Sequence, residues 1–188
     1  MSRVEKYIET KEKYFKTSLE RDRTGLLHNH IKNTLNETLK YTKIGKTISV
    51  FVILACLSLT IAAFVQAGVV FATIVYAMLI LLGVFKYSEY ASKENKALEE
   101  ASDFFVFHKS NFDKSNVGSQ EVFLLDKYNK FKNESFQLKQ SYESQEKFLK
   151  IEEIESYIEE KNLTKDQMEI LENITNPFYE EKKQLKKY

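Results

Sequence analysis

The sequence predicts an all-α protein built on a two-helix transmembrane hairpin, with a cytoplasmic helical stalk and bundle. Three observations lead there. No charged residue occurs between Lys46 and Lys86, although charged residues make up 29% of the whole chain. Outside that stretch apolar residues recur at steps of three and four, the spacing of helices packed on helices. Near the end, Thr164 and Gln167 stand at capping-box spacing, and Asn176 precedes Pro177 as an N-cap precedes a proline at the first helical position. By this reading the chain divides into amphipathic helices and stalk over 1–46, the hairpin over 47–86, a helical bundle over 87–150 and short C-terminal helices over 151–188.

Val4, Ile8, Phe15 and Leu19 outline a short amphipathic helix at the start. Gly25 marks the start of the next element. Leu27, Ile31, Leu35 and Leu39 then recur every four residues, a stripe that carries the first span down into a stalk.

Thr47 to Phe85 is 39 residues without a charge. As one helix it would extend roughly 58 Å against a hydrocarbon core of about 30 Å, which is too long. Two spans over about 48–65 and 69–85 fit, with the turn at 66–68 where Gln66, Ala67 and Gly68 interrupt the run. The remainder of the chain is too polar to cover so much apolar surface as a soluble core. A cleaved leader is disfavoured as well, because about 46 mainly polar residues precede the run.

Lys32, Lys40, Lys43 and Lys46 precede the first span, Lys86, Lys93 and Lys96 follow the second, and the turn carries no charge. Lysine placement therefore puts both termini on the cytoplasmic side of the cell's inner membrane, and Glu37, Glu89 and Glu94 weigh little against it. An outer turn of about three residues is too small to bind an external ligand, so what the protein senses begins inside.

Small residues lie four apart as Ser58 and Ala62, Gly68 and Ala72, and Thr73 and Ala77. That spacing lets helix backbones approach closely in lipid, either within one hairpin or between protomers of a homo-oligomer. Polar groups in the spans are few. Ser49, Ser58, Thr60, Gln66, Thr73 and Tyr76 are the ones present, so a pore would have a weakly polar lining.

After the hairpin, Tyr87, Ala91, Glu94, Leu98, Ala101, Phe105, His108 and Phe112 form the seam of a helix that pairs with the stalk. A polar turn over Asp113 to Ser119, containing Gly118, reverses the chain. A second seam follows through Leu124, Tyr128, Phe131, Ser135, Leu138, Tyr142, Gln145 and Leu149. Phe104, Phe105 and Phe107 lie in a run too short to cross a membrane; it serves as bundle core or as a surface for an oligomer or partner. Two short terminal helices close the chain. The last carries Phe178, Tyr179, Leu185 and Tyr188 among lysines, a solvated helix end or a basic aromatic tail that touches headgroups or a partner.

The chemistry of an enzyme is missing from the pattern. There is no phosphate-binding glycine loop, no nucleophilic triad and no spaced Cys/His set, so neither catalysis nor a cofactor nor a metal is expected. His28 and His30 are two apart and face different ways on a helix. His108 has no evident second ligand. Cys56 is the only cysteine, which excludes an intramolecular disulfide. A net charge of +1 gives no field for nucleic acid. Four glycosylation-type tripeptides, beginning at Asn36, Asn133, Asn162 and Asn173, follow from an Asn-rich composition.

The layout resembles the SLATT family of bacterial membrane effectors. The matching parts are the stripe Leu27 to Leu39, the hairpin Thr47 to Phe85 and the Tyr87 to Phe112 helix, within about residues 1–150; the C-terminal helices look like an addition. The resemblance implies a pore-forming or membrane-perturbing effector in prokaryotic conflict defence, often paired with a cytoplasmic sensor. Ser58, Ala62, Ala72 and Ala77 would then pack the spans, and Thr60, Gln66 and Thr73 would line the pore. The rival expectation is a membrane-anchored scaffold that binds a soluble partner through Phe104, Phe105, Phe107 and the tail.

Overall fold

A computed structural model describes the backbone of residues 2–67 and 70–185, and the side chains of these except 64, 66, 67, 70, 71 and 176–185. Among the described residues the regular structure is wholly helical: α1 Arg3–His30, a π-helical segment Ile31–Leu35, α2 Asn36–Ala67, α3 Val70–Phe107, α4 Val117–Glu146, α5 Ile151–Glu160 and α6 Lys165–Leu185. The chain forms two compact units, one of residues 25–125 and one of residues 1–24 with 126–188. The boundary falls inside α1 and inside α4.

In the unit of residues 25–125, α2 and α3 are antiparallel partners. Position 45 meets position 90, and 53 meets 83. Helical backbone of α2 continues through Gln66 and Ala67; Gly68 lies outside the described residues. Two of these helices are long and apolar enough to cross a membrane. At the other end of the unit Leu27, Ile31, Phe105 and Leu124 make a buried cluster, with Phe104, Phe112 and Val117 packed against it.

The stripe read from the sequence is real: Leu27, Ile31 and Leu35 are all buried. In a regular α-helix residues four apart drift by about 40°, because 3.6 residues complete a turn. The wider π turn at Ile31–Leu35 offsets that drift and holds Ile31 and Leu35 in line.

What reverses the chain after α3 is not the glycine. Lys109 has φ +52°, its N–H donates to the Val106 carbonyl at 2.8 Å, and the Ser110 N–H donates to the Phe105 carbonyl at 2.8 Å. This is a Schellman closure with lysine where glycine is usual. Gly118 instead lies in the first turn of α4, with open space where a Cβ would be. The Asp113 carboxylate accepts from the Ser115 N–H and hydroxyl, and the Gln120 side chain reaches back to the Asp113 N–H and the Asn111 carbonyl. The loop thus holds its shape through side chains. Lys109→Gly is expected to stabilise the protein by about 1 kcal/mol, since a left-handed residue with a Cβ costs roughly that much. Chemical denaturation followed by circular dichroism would show the midpoint moving up.

In the second unit Val4, Tyr7 and Ile8 of α1 pack against Ile154 of α5 and Ile170, Leu171 and Ile174 of α6. The C-terminal helices therefore supply half of a core, and are not an appendage. Within the unit α1 and α4 run antiparallel: Tyr7 Oη donates to Glu146 Oε2 at 3.0 Å, the Tyr14 and Tyr142 rings lie 5.1 Å apart, and Arg21 Nη1 donates to Ser135 Oγ at 3.5 Å. Every position of the expected α4 seam, from Leu124 to Leu149, is buried or half-buried.

Three expectations are corrected here. Phe15 and Leu19 face outward, because α1 turns Tyr7, Lys11, Tyr14, Thr17 and Arg21 inward instead. Gly25 does not open an element; α1 runs through it, held by buried Thr24 and Leu27 on either side. Pro177 does not open one either, since α6 continues past it to Leu185. The capping box is present and starts α6: the Thr164 N–H donates to Gln167 Oε1 at 3.2 Å, and the Gln167 N–H donates to Thr164 Oγ1 at 3.3 Å.

Candidate functional site

The inner seam of the hairpin is made by small and weakly polar residues. Thr42, Gly45, Ser49 and Cys56 are buried on α2, followed by half-buried Thr60 and Ala63, a three-four spacing that keeps one face toward α3. Two glycines set the approach distance. A Cβ at Gly45 would lie 2.5 Å from Cζ of Tyr90, and one at Gly83 would lie 2.7 Å from Cγ1 of Ile53. The Tyr90 ring and the Ile53 side chain occupy those vacated volumes. Sequence reasoning passed over both glycines. The signal was there: an isolated glycine inside a helix costs about 1 kcal/mol and marks close packing.

Hydroxyls on the seam are satisfied within their own helix. Thr42 donates to the Leu39 carbonyl at 3.0 Å, Ser49 to Gly45 at 2.9 Å and Thr60 to Cys56 at 2.7 Å. Each bond uses the one proton the hydroxyl has.

The expected packing residues are divided. Ser58, Ala62 and Ala77 are exposed on the outer faces, with the Ser58 hydroxyl donating to the Leu54 carbonyl at 3.0 Å; Ala72 and Thr73 are half-buried. Of the candidate pore-lining groups, Thr60 and Thr73 are half-buried and the Gln66 side chain lies outside the described residues. Phe178 and Tyr179 lie outside the described side chains too.

Below the apolar stretch, charges bind the two helices. Lys46 Nζ lies 2.7 Å from Glu94 Oε2, with both side chains largely covered, and 5.8 Å from the centre of the Tyr87 ring. Next to it Glu89 accepts from Lys86 and from Lys93, each at 2.7 Å, and these two bonds hold its carboxyl down to about 2.

Outward, the hairpin is apolar. Among the described residues, seventeen large apolar side chains between Ile48 and Phe85 are exposed. In the most apolar stretches of the two long helices, 17% and 6% of residues are buried, far from the burial of a soluble core helix. At about 1 kcal/mol or more for each half-exposed side chain, the surface left in water would cost on the order of 20 kcal/mol. That exceeds the net stability of a typical domain, about 5–15 kcal/mol. Such a surface calls for a cover of lipid or of other chains.

The three phenylalanines after the hairpin have different roles. Phe105 is fully buried; Phe107 is 80% exposed. Phe104 lies between two imidazoles, stacked on His30 at 4.1 Å and tilted against His108 at 4.6 Å. Burial holds the His30 pKa below the ordinary imidazole value, Glu100 opposes this and His108 adds to it. The unfolded chain thus takes up a proton on His30 before the folded one does. Stability is full above about pH 6.5 and falls as the pH drops through the folded pKa. Urea midpoints at pH 7.5 and 5.5 check this, and His30→Phe is expected to flatten the difference.

A second polar cluster sits in the other unit. Lys11 Nζ donates to Tyr7 Oη at 2.6 Å, and Tyr7 donates on to Glu146. Burial first and Glu146 second push the Tyr7 phenol well above its ordinary range; burial lowers the Lys11 pKa, with Glu146 opposing. This chain of bonds locks α1 to α4 with its charges matched.

The chain matches no family model, no curated protein and no solved structure.

Proposed function

We propose that this chain is a membrane effector of the SLATT type: the α2–α3 hairpin inserts in the inner membrane from the cytoplasmic side, assembles with further copies, and opens a pore or perturbs the bilayer on a cytoplasmic trigger. One observation carries the reading. The hairpin is closed on itself by the Gly45 and Gly83 contacts, yet its outer face remains apolar along both helices and carries Ser58, Ala62 and Ala77. Small residues on an outer face suit contacts between hairpins, because they let neighbouring helices approach. A trigger acts by binding one of two arrangements more tightly than the other, and the helices outside the span are where it binds.

Inducible expression with recording of membrane potential tests the proposal. Depolarisation is expected from the intact chain, on its own or once its partner system is engaged, and Ala62→Leu is expected to abolish it at equal abundance in the membrane fraction. A chain that stays silent under both conditions, but captures a soluble protein through exposed Phe107, is the anchored scaffold instead.

A further inference from the structure

A groove of about 250 Å³ lies on the hairpin between α2 and α3. Ile48 and Val52 wall it on one side, Leu79 and Leu82 on the other, and Lys86 and Tyr90 stand at one end. Gly45 and Gly83 also line it, next to the Tyr90 and Ile53 side chains that fill the space their missing Cβ atoms leave.

Its dimensions suit a lipid chain near the headgroup. From Leu79 to Lys86 is seven residues of helix, about 10 Å at 1.5 Å per residue. That is about two thirds of the hydrocarbon depth of one leaflet, roughly 15 Å, with Tyr90 about 6 Å beyond it at headgroup level. The charge at the end matches as well. Lys86 and Lys93 share the single carboxylate of Glu89, both at 2.7 Å, while Lys46 is matched by Glu94. Two cations on one anion leave a unit of positive charge beside Tyr90, and Lys93 also lies 5.8 Å from the Tyr90 ring centre. The Tyr90 hydroxyl adds a donor type suited to a phosphate oxygen.

We infer that this groove holds the headgroup-proximal part of one acyl chain of an anionic glycerophospholipid from the cytoplasmic leaflet, with the lipid's phosphate at Lys86, Lys93 and Tyr90. The inference rests on the membrane reading above and names a ligand for the same hairpin. A lipid seated there would touch both helices and hold them in the closed arrangement, making the negative charge of the leaflet a condition of the resting state.

Native mass spectrometry of the full chain released from detergent, after equilibration with phosphatidylglycerol or with phosphatidylcholine, is the test. Phosphatidylglycerol is expected to remain at one per protomer and phosphatidylcholine to leave. Lys86→Gln should weaken retention about fivefold, the worth of one lysine at an anionic surface, and Lys86→Arg should restore it. Leu82→Trp, which fills the slot without touching the charges, should remove the lipid also. Equal retention of the two lipids, or indifference to both Lys86→Gln and Leu82→Trp, overturns the site. So does a disulfide between copies carrying Leu82→Cys on a Cys56→Ser background, which makes a second hairpin the occupant. Carbonate extraction of the same proteins is scored separately. Extraction of the intact chain by carbonate overturns the membrane reading and the lipid site together, whereas a resistant chain with no lipid preference overturns only the site.

Discussion

Gly83→Leu is expected to force α2 and α3 apart and to remove whatever activity depends on a closed hairpin. The first added carbon would already lie 2.7 Å from Cγ1 of Ile53, and the Ser49 carbonyl is 3.6 Å away on the same side. Ile53 is branched at the clashing carbon's own base and cannot swing clear without a new rotamer. Overpacking of this kind costs about 1–3 kcal/mol, and leucine adds three more carbons than alanine does, so about 3 kcal/mol is expected. For a chain of this size that is a drop in Tm of roughly 6–12 °C by circular dichroism. Gly45→Ala should do less damage, because its clash is with the far end of the Tyr90 ring, which can rotate. Ser58→Leu on the outer face should leave Tm unchanged. If Gly83→Leu melts with the wild type, the seam is not the tight contact described.

The second large effect is expected from deleting residues 150–188. That deletion removes Ile154, Ile170, Leu171 and Ile174, and leaves Val4, Tyr7 and Ile8 without the residues that cover them. Burying a side chain of this kind is worth about 1.5–3 kcal/mol. Losing four at once exceeds what a small unit has to spare, so α1 up to Thr24 should become sensitive to protease while 25–125 stays resistant. The milder Leu171→Ala should cost about 2–5 kcal/mol and show the same order of events. Both changes also bear on the proposed function. If the C-terminal helices restrain the hairpin, the deletion would depolarise without a trigger, and Leu171→Ala would do so in part.

Parts of this fold are legible in the sequence and parts are not. The α4 seam was legible throughout, because Leu124, Tyr128, Phe131, Leu138 and Tyr142 alternate with charged neighbours at an unbroken spacing. The hairpin was legible from the absence of charge between Lys46 and Lys86. α1 was misread where its buried face is polar: Tyr7, Lys11 and Arg21 find partners on α4 that only the fold brings within reach, so hydrophobic spacing pointed to Phe15 and Leu19 instead. Gly118 drew the turn by its identity, whereas Lys109 makes it by accepting a conformation that lysine seldom adopts. Gly45 and Gly83 were hidden for a different reason. In an apolar run small residues of every kind suggest packing, and Ser58 and Ala62 are indistinguishable from them until the facing helix is known. Capping at Thr164 and Gln167 was legible because both partners are local.

The unit assembled from residues 1–24 and 126–188 has a consequence for biosynthesis. Ile8 and its partner Ile170 are separated by about 160 residues, which a ribosome adding about 5–20 residues per second needs roughly 8–30 s to make. Over roughly the second half of that interval, once the chain has passed residue 86, the hairpin is complete while the face of Val4, Tyr7 and Ile8 still lacks Ile154, Ile170, Leu171 and Ile174. Every newly made copy therefore passes through a stage in which the hairpin exists without its neighbouring unit. A nascent chain is at that moment the equivalent of the deletion, with the apolar face of its first helix open to whatever chaperone meets it.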